Sequence, residues 1–390
     1  MTRSSVPPAS STPPPRIARG MGLHSAFEAS LEFFLAPLLP FLRDQDVSEI
    51  MVNGHDHIYI EKGGKIQRTT ARFGSDADVQ AAARNVAQFV GQPLTTERPL
   101  LDGRLPDGSR VTIVLSPIAS TGTQINIRRF ARNTVSPDFL IQKNSLTALA
   151  MEFLLLSVKG HQNIVASGGA GSGKTTLVNV LTNAFADDER VIVIEDTREL
   201  QIQKPHVVQM EARPADVYGR GQITVRDLFT TALRMRPDRI VVGEVRRGEA
   251  LDMIQAMTSG HHGSLTTLHA STALDACHRL ETMALMADIA IPLHALRRQI
   301  ASAIDLVVQT TRLPDGRRLV SEICEVTYDE EKQNYLVTDL FLLDIKAGGT
   351  TAMLQWTGVV PQALKSIHFE GLGNLMNLTK IMETVPEKQP

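Results

Sequence analysis

Residues Asn163–Thr176 read NIVASGGAGSGKTT, and their reading decides the fold of the larger part of this 390-residue chain. Gly168, Gly173, Lys174 and Thr175 match G-x-x-x-x-G-K-[ST] at every fixed position. The chemistry of a phosphate explains these residue types. Glycines at 168, 169, 171 and 173, with Ala170 and Ser172 between them, let consecutive backbone N–H groups curl around phosphate oxygens. Lys174 supplies a point charge for β- and γ-phosphates, the Thr175 hydroxyl is a Mg2+ ligand, and Thr176 completes the candidate nucleotide contacts. The flanks agree. Ile164–Ser167 has the continuous apolar character of a buried strand, and Lys174–Phe185 reads as a helix whose amino end faces the anion.

Hydrolysis needs more than a bound nucleotide: a further carboxylate on the metal side and a group that orients or deprotonates water. Two acidic segments qualify. The apolar strand Val191–Ile194 delivers Glu195 and Asp196, with Glu199 shortly after. Ile240–Val242 delivers Gly243 and Glu244 within RPDRIVVGEVR. Carboxylates at the carboxyl ends of parallel strands face the crevice where ligands sit in such sheets. A third segment, GHHGSLTTLHA at Gly260–Ala270, places His261, His262 and His269 around a strand-like SLTTL. It has no cysteine or acid at ligand spacing, so zinc is not expected. A histidine near a γ-phosphate can sense charge or hold a switch loop through hydrogen bonds, while taken alone the segment reads as a helix-to-strand turn with surface histidines.

Upstream the pattern is different. Residues 1–22 are rich in proline and serine and read as a disordered tail. Residues 23–131 read as a small α+β domain. Short strands are expected at Val47–Val52, Ile58–Ile60, Lys65–Thr69, Leu101–Leu105, Arg110–Leu115 and Gln124–Phe130. Asp76–Val90 is an amphipathic helix with Ser75 as its N-cap. Arg104, Arg110 and Arg128 lie on these strands. A strand arginine is ordinarily solvated, but its planar fork also suits a phosphate. The apolar stretch Leu31–Leu42 is too short to span a bilayer and contains Pro37 and Pro40, so it reads as a packed helix or subunit contact. Residues 132–145 read as a linker. In 146–390 strands and helices alternate, as in a mainly parallel sheet, and from Asp305 an antiparallel extension follows, ending in a short helical end over 346–390.

Net charge is −2, which gives no global field for nucleic acid. The two cysteines, Cys277 and Cys324, form no CxxC pair, so neither a disulfide scaffold nor a zinc site is supported.

Taken together, GGAGSGKTT, VIEDTREL, RPDRIVVGEVR and GHHGSLTTLHA strongly resemble the Walker A loop, Asp box, Walker B segment and His box of the type II/type IV secretion ATPase superfamily. The segments VSEIMVNG, LLDGRLPDGSRV, INIRRF, GRGQITVRDL, GEALDMIQAM and WTGVVP resemble its tight-adherence (Flp) pilus branch, the CpaF-like ATPases. Conjugation-type secretion ATPases are the nearest alternative. A nucleotide-gated assembly scaffold with incidental hydrolysis is an alternative of another class. The resemblance implies an α/β chain with a RecA-like P-loop ATPase domain, binding ATP and Mg2+ between its two domains. It implies a homohexamer on the cytoplasmic face of the inner membrane, working with inner-membrane platform proteins and not directly with nucleic acid. By position it makes Glu244 the group that activates water, with Glu195, Asp196 and Glu199 supporting Mg2+ and water. His261 and His269 become the His-box pair, and Arg110 and Arg128, then Arg104, the γ-phosphate contacts. His262 and Arg247 depart from the family's usual residues, and the tetracysteine metal site of some export ATPases has no counterpart.

Overall fold

The computed structural model describes residues 30–129, 135–215, 218–345 and 352–362. The expected tail over residues 1–22 lies outside them. The chain divides into two compact units, Met1–Ala131 and Arg132–Pro390.

The first unit is one antiparallel sheet with a helix packed on it. Strands β1 (Val47–Asn53), β2 (Ile58–Lys62), β3 (Lys65–Arg68), β4 (Leu100–Arg104), β5 (Arg110–Val114) and β6 (Gln124–Arg128) are ordered β3-β2-β1-β6-β5-β4. The short helix α1 (Leu39–Arg43) precedes them and α2 (Asp76–Val90) lies between β3 and β4. On α2, Val79, Ala82, Ala83 and Val86 recur at helical spacing and share a core with Ile50, Val52, Ile113 and Ile125. Ser75 caps this helix by accepting the Asp78 N–H, while Asp76 and Asp78 complement the dipole in its first turn. The apolar stretch before β1 belongs to the same core, because Leu31, Leu35 and Leu38 are buried in it. Its prolines fall at first-turn positions of a 3-10 turn and of α1, where no N–H is needed.

The second unit is α/β. Its strands are β7 (Ile164–Gly168), β8 (Val191–Glu195), β9 (Val207–Glu211), β10 (Arg239–Val242), β11 (Leu265–Leu268), β12 (Leu306–Arg312), β13 (Arg318–Asp329), β14 (Asn334–Ile345) and β15 (Ala352–Trp356). Its helices are α3 (Pro137–Gln142), α4 (Ala148–Lys159), α5 (Lys174–Thr182), α6 (Val225–Ala232), α7 (Glu249–Thr258), α8 (Ala273–Leu285) and α9 (Leu293–Ala303). One sheet runs β15-β14-β13-β12-β7-β11-β10-β8-β9. From β12 to β9 all neighbours are parallel, and β13, β14 and β15 continue antiparallel. Successive residues of the central strands point to opposite cores. Ile164, Ala166, Val191 and Val193 pack with α4 and α5 through Phe153, Leu154, Leu177 and Leu181. Val165, Ile192, Ile194 and Val242 pack with α7, α8 and α9 through Leu251, Ile254, Leu280 and Ile300. This is the expected fold class, a small α+β unit followed by a mainly parallel P-loop unit with an antiparallel extension.

Four details differ from the sequence reading. The segment read as a linker contains α3, since Pro137 is its first residue and Ser136 caps it by accepting the Phe139 N–H. β9 was not expected; its half-buried side chains show no clear alternation. β12 is not purely part of an antiparallel extension, because it pairs in parallel with β7 on one side and antiparallel with β13 on the other. At the carboxyl end, where a short helical end was expected, 352–356 form β15; residues 346–351 and 363–390 lie outside the described residues.

The amino ends of the strands are pinned by buried polar contacts. Arg239, only 2% exposed, donates to Glu189 at 2.8 Å and to the Val158 carbonyl at 3.0 Å, and lies over the Phe185 ring. At the start of β12 the Asp305 carboxylate accepts the Asn163 N–H at 2.7 Å. Burial is the main cause that pushes this carboxyl up to about 6, with Glu325 adding to the rise, while the Asn163 hydrogen bond and His262 oppose it. A carboxyl raised by folding contributes stability below its unfolded value, and that contribution is lost as pH rises through about 6. Asp305→Asn removes this loss. Its stability relative to the parent is therefore expected to be higher at about pH 7.5 than at about pH 5 in urea unfolding. A difference that does not change with pH would contradict this assignment.

Candidate active site

Parallel pairing places the carboxyl ends of β7, β11, β10 and β8 side by side. Ser167 pairs with Leu268, Thr266 with Val242, and Val242 with Ile194. The residues that follow each strand therefore meet at one edge: Gly168 and the phosphate loop, His269, Gly243-Glu244, and Glu195-Asp196.

The loop itself is shaped by a close approach. Gly168 has φ of 151°, and a Cβ there would lie 2.3 Å from the Thr310 carbonyl oxygen. Thr310, the β12 partner of Gly168, donates its hydroxyl to the Ser167 carbonyl at 2.9 Å. Its Oγ1 is also 2.7 Å from Ser172 Oγ, so β12 forms the back wall of the loop. Gly169, Ala170 and Gly171 arch into solvent, and Gly173, with φ of 104°, turns the chain into α5. Lys174 is buried, and its Nζ donates to the carbonyls of Gly168 at 3.0 Å and Gly169 at 2.9 Å.

A chain of polar contacts runs from this lysine across the motifs. Lys174 Nζ lies 3.4 Å from His269 Nδ1, and His269 Nε2 lies 3.2 Å from Glu244 Oε1. The ammonium can only donate, so Nδ1 accepts and Nε2–H donates to the carboxylate. Burial, then the nearby Lys174 charge, lowers the His269 pKa against the opposing pull of Glu244, which favours this neutral form. Glu244 Oε2 accepts from Arg246 at 2.8 Å, and Arg246 also reaches Asp196 at 3.3 Å. Beside this chain, Thr175 Oγ1 donates to Glu199 at 3.3 Å.

Two expected residues sit differently from the rest. Glu195 is buried, and its Oε1 accepts the backbone N–H groups of Glu199 at 2.7 Å and Leu200 at 2.8 Å. Through Oε1 it shapes the turn that presents Glu199. His261 precedes β11 while His269 follows it, and a four-residue strand advances about 13 Å. The two histidines therefore lie at opposite ends of the strand, and only His269 joins the phosphate loop. His261 donates its N–H to the Ala256 carbonyl, and its Nδ1 is buried with no hydrogen-bond partner among the described residues. His262 is exposed at that same far end, beside Asp305. Arg247 uses its N–H to bond Glu249 Oε1 at 2.9 Å at the start of α7. In the first unit, Arg104, Arg110 and Arg128 form one row, since Arg104 pairs with Arg110 and Arg110 with Arg128 across adjacent strands. Arg110 makes a two-pronged contact with Asp102.

Arg246 and Thr310 escaped the sequence reading as site residues. The first arginine in GEVRR carries no local signal, and Thr310 joins the loop only through a strand pairing 138 residues away from Ser172.

The donor set fits a magnesium nucleotide. Among the described residues no group of three or more His, Cys, Asp or Glu is arranged to hold a metal unaided. Mg2+ keeps several waters and is bound by few protein oxygens plus substrate phosphates, a role open to Thr175 with Glu199 or Asp196 nearby. Lys174 now donates to loop carbonyls, and its ammonium has only to exchange them for phosphate oxygens.

The Glu195 contacts give a stability prediction. Glu195→Ala leaves the buried Leu200 N–H and the half-buried Glu199 N–H without this acceptor and is expected to cost about 2–3 kcal/mol in urea unfolding. Glu195→Gln retains an acceptor oxygen and should lose far less. Equal losses in both variants would mean that the charge, not the turn, is what matters there.

Comparisons with known proteins identify the family. The model of the family described as Type II/IV secretion system protein matches residues 34–350. A putative conjugal transfer protein of Mycobacterium tuberculosis is 33% identical over 292 residues, 73% of this chain and 82% of the relative. The type IV secretion system protein PtlH of Bordetella pertussis is 34% identical over 312 residues, 73% of this chain and 91% of that protein. The Legionella pneumophila ATPase DotB shares the fold, with a TM-score of 0.51 and 20% identity over 77% of this chain and 82% of that one. The chain belongs to the Type II/IV secretion system protein family.

Proposed function

We propose that this chain is a Mg2+-dependent ATPase that works as a homohexameric ring on the cytoplasmic face of the inner membrane. It powers pilus assembly or protein secretion through inner-membrane platform proteins. The observation that carries this reading is the contact chain Lys174–His269–Glu244, which couples a phosphate-binding ammonium to a carboxylate suited to handling water. Among the described residues no helix is long and apolar enough to cross a membrane, and the proposed membrane contact is peripheral.

Each group has a distinct task. Lys174 and the loop N–H groups neutralise and orient phosphate oxygens. Bound Mg2+ supplies Lewis-acid polarisation of the β- and γ-phosphates, and Thr175 with Glu199 or Asp196 would hold it. Glu244 orients the attacking water and takes its proton. His269 reports on the loop: when Lys174 turns to phosphate, Nδ1 loses its donor and the hold on Glu244 is altered. Arg246 keeps Glu244 and Asp196 at a fixed spacing. Arg110, Arg128 and Arg104 are the proposed cations for the γ-phosphate, and their shared row presents them together. Loss of the γ-phosphate contacts on hydrolysis then shifts the equilibrium between closed and open arrangements.

The machine served has two readings. The six tight-adherence segments favour an Flp pilus. The relatives named for conjugal transfer and type IV secretion favour a conjugation-type secretion machine. Deleting the gene separates them, by loss of surface pili in the first case and of substrate export in the second.

For the enzyme, Lys174→Ala is expected to abolish nucleotide binding and turnover. Glu244→Gln should bind ATP with near-parental affinity and turn over at least about 100-fold more slowly. Steady-state hydrolysis at the parental rate in Glu244→Gln would remove this residue from the proposed role.

A further inference from the structure

We propose that Arg312 and Arg318, register partners across the β12–β13 hairpin, are nucleotide-binding residues that grip the α- and β-phosphates at the loop. The inference rests on the nucleotide-binding reading above and adds a pair of groups that none of the recognised motifs contains.

Strand geometry puts them there. Leu306, Val308 and Thr310 alternate on the face of β12 that carries α5: the first two lie in the core shared with that helix, and Thr310 touches Ser172 of the loop. Arg312 is the next residue in this alternation. Thr310 pairs with Gly168, so Arg312 lies two residues, about 6–7 Å, past the point where β7 bends into the loop. The chain then reverses through a tight turn, with Gly316 N–H bonded to the Leu313 carbonyl at 2.9 Å, and returns Arg318 opposite Arg312.

Both arginines lie against the loop. Arg312 Nη1 is 3.4 Å from where a Cβ on Gly171 would be, and the Arg318 stem is 3.8–3.9 Å from the same point on Gly173. Both residues are exposed on the solvent side. A guanidinium offers a polyanion in the loop a planar fork of donors. The hairpin cannot drift from the loop, because Thr310 at its root is bonded to both Ser167 and Ser172.

The position also selects which phosphates are gripped. Backbone around Gly171 and Gly173 cradles the α- and β-phosphates, whereas Lys174 reaches toward the γ end, where Glu244 and His269 stand. Arg312 and Arg318 therefore act on nucleoside diphosphate and triphosphate alike and set how long the product is retained.

The test is equilibrium binding of fluorescent ADP and ATP analogues to the full chain and to Arg312→Ala and Arg318→Ala. Each variant is expected to weaken ADP and ATP by a similar factor, about tenfold. The gap should narrow as salt is raised, because these cations are exposed. Arg312→Lys should recover part of the loss by keeping the charge. Arg317→Ala is the control in the same turn, since Arg317 is paired with Asp315 at 2.7 Å, and it should bind as the parent does. Unchanged ADP affinity in both alanine variants, with a parent that binds, overturns the inference. A loss confined to ATP also overturns it, since it would move the arginines to the γ end. A parent that binds neither nucleotide overturns the nucleotide reading itself, and with it this one.

Discussion

Hydrogen-bonded parallel register between β7, β11, β10 and β8 sets the distances between groups that come from four separate stretches of sequence. Each strand ends at the same edge, and each is buried on both faces, so a slip of one residue would turn an entire apolar set toward the wrong core. The site therefore inherits its precision from packing it does not take part in. Arg239 and Asp305 act at the other end of the same strands, fixing where the ladder begins and so where it delivers Glu244 and His269.

Within the site, the polar groups are connected rather than merely near. Burial and the neighbouring Lys174 charge favour the neutral form of His269, and a neutral imidazole is the only form that can accept from Lys174 and donate to Glu244 together. The structure thereby ties the state of the phosphate loop to the state of the carboxylate through one ring. Arg246 makes the opposite end of this chain electrostatically closed, since its guanidinium spans Glu244 and Asp196.

Much of this was legible from local pattern. The loop, its strand and its helix announce themselves in consecutive residues, as does the Ser75 cap. The helix α3 was hidden because a proline reads equally as a breaker and as a first helical residue, and only the Ser136 cap distinguishes them. Edge strand β9 gave no apolar alternation to detect. The His box gave the right composition, but spacing alone could not say that β11 would carry His261 and His269 to opposite ends. Glu195 reads as a site carboxylate at the end of an apolar strand, and the two turn N–H groups that its Oε1 accepts are visible only in three dimensions. Thr310, Arg312 and Arg318 belong to the loop's surroundings through β pairing, and Arg246 joins the site through Glu244 and Asp196, for which sequence carries no local mark.

Thr310 shows that the phosphate loop is not a self-contained cassette. Its eight motif residues hold their shape against a wall supplied by a strand far along the chain, and the wall's hydroxyl links the loop's two shoulders, Ser167 and Ser172. A fragment ending before Leu306 would keep the whole recognisable motif and lose the surface that bends it. Transplanting the loop into another parallel sheet would face the same difficulty, because the host would need a neighbouring strand with a hydroxyl at the matching register.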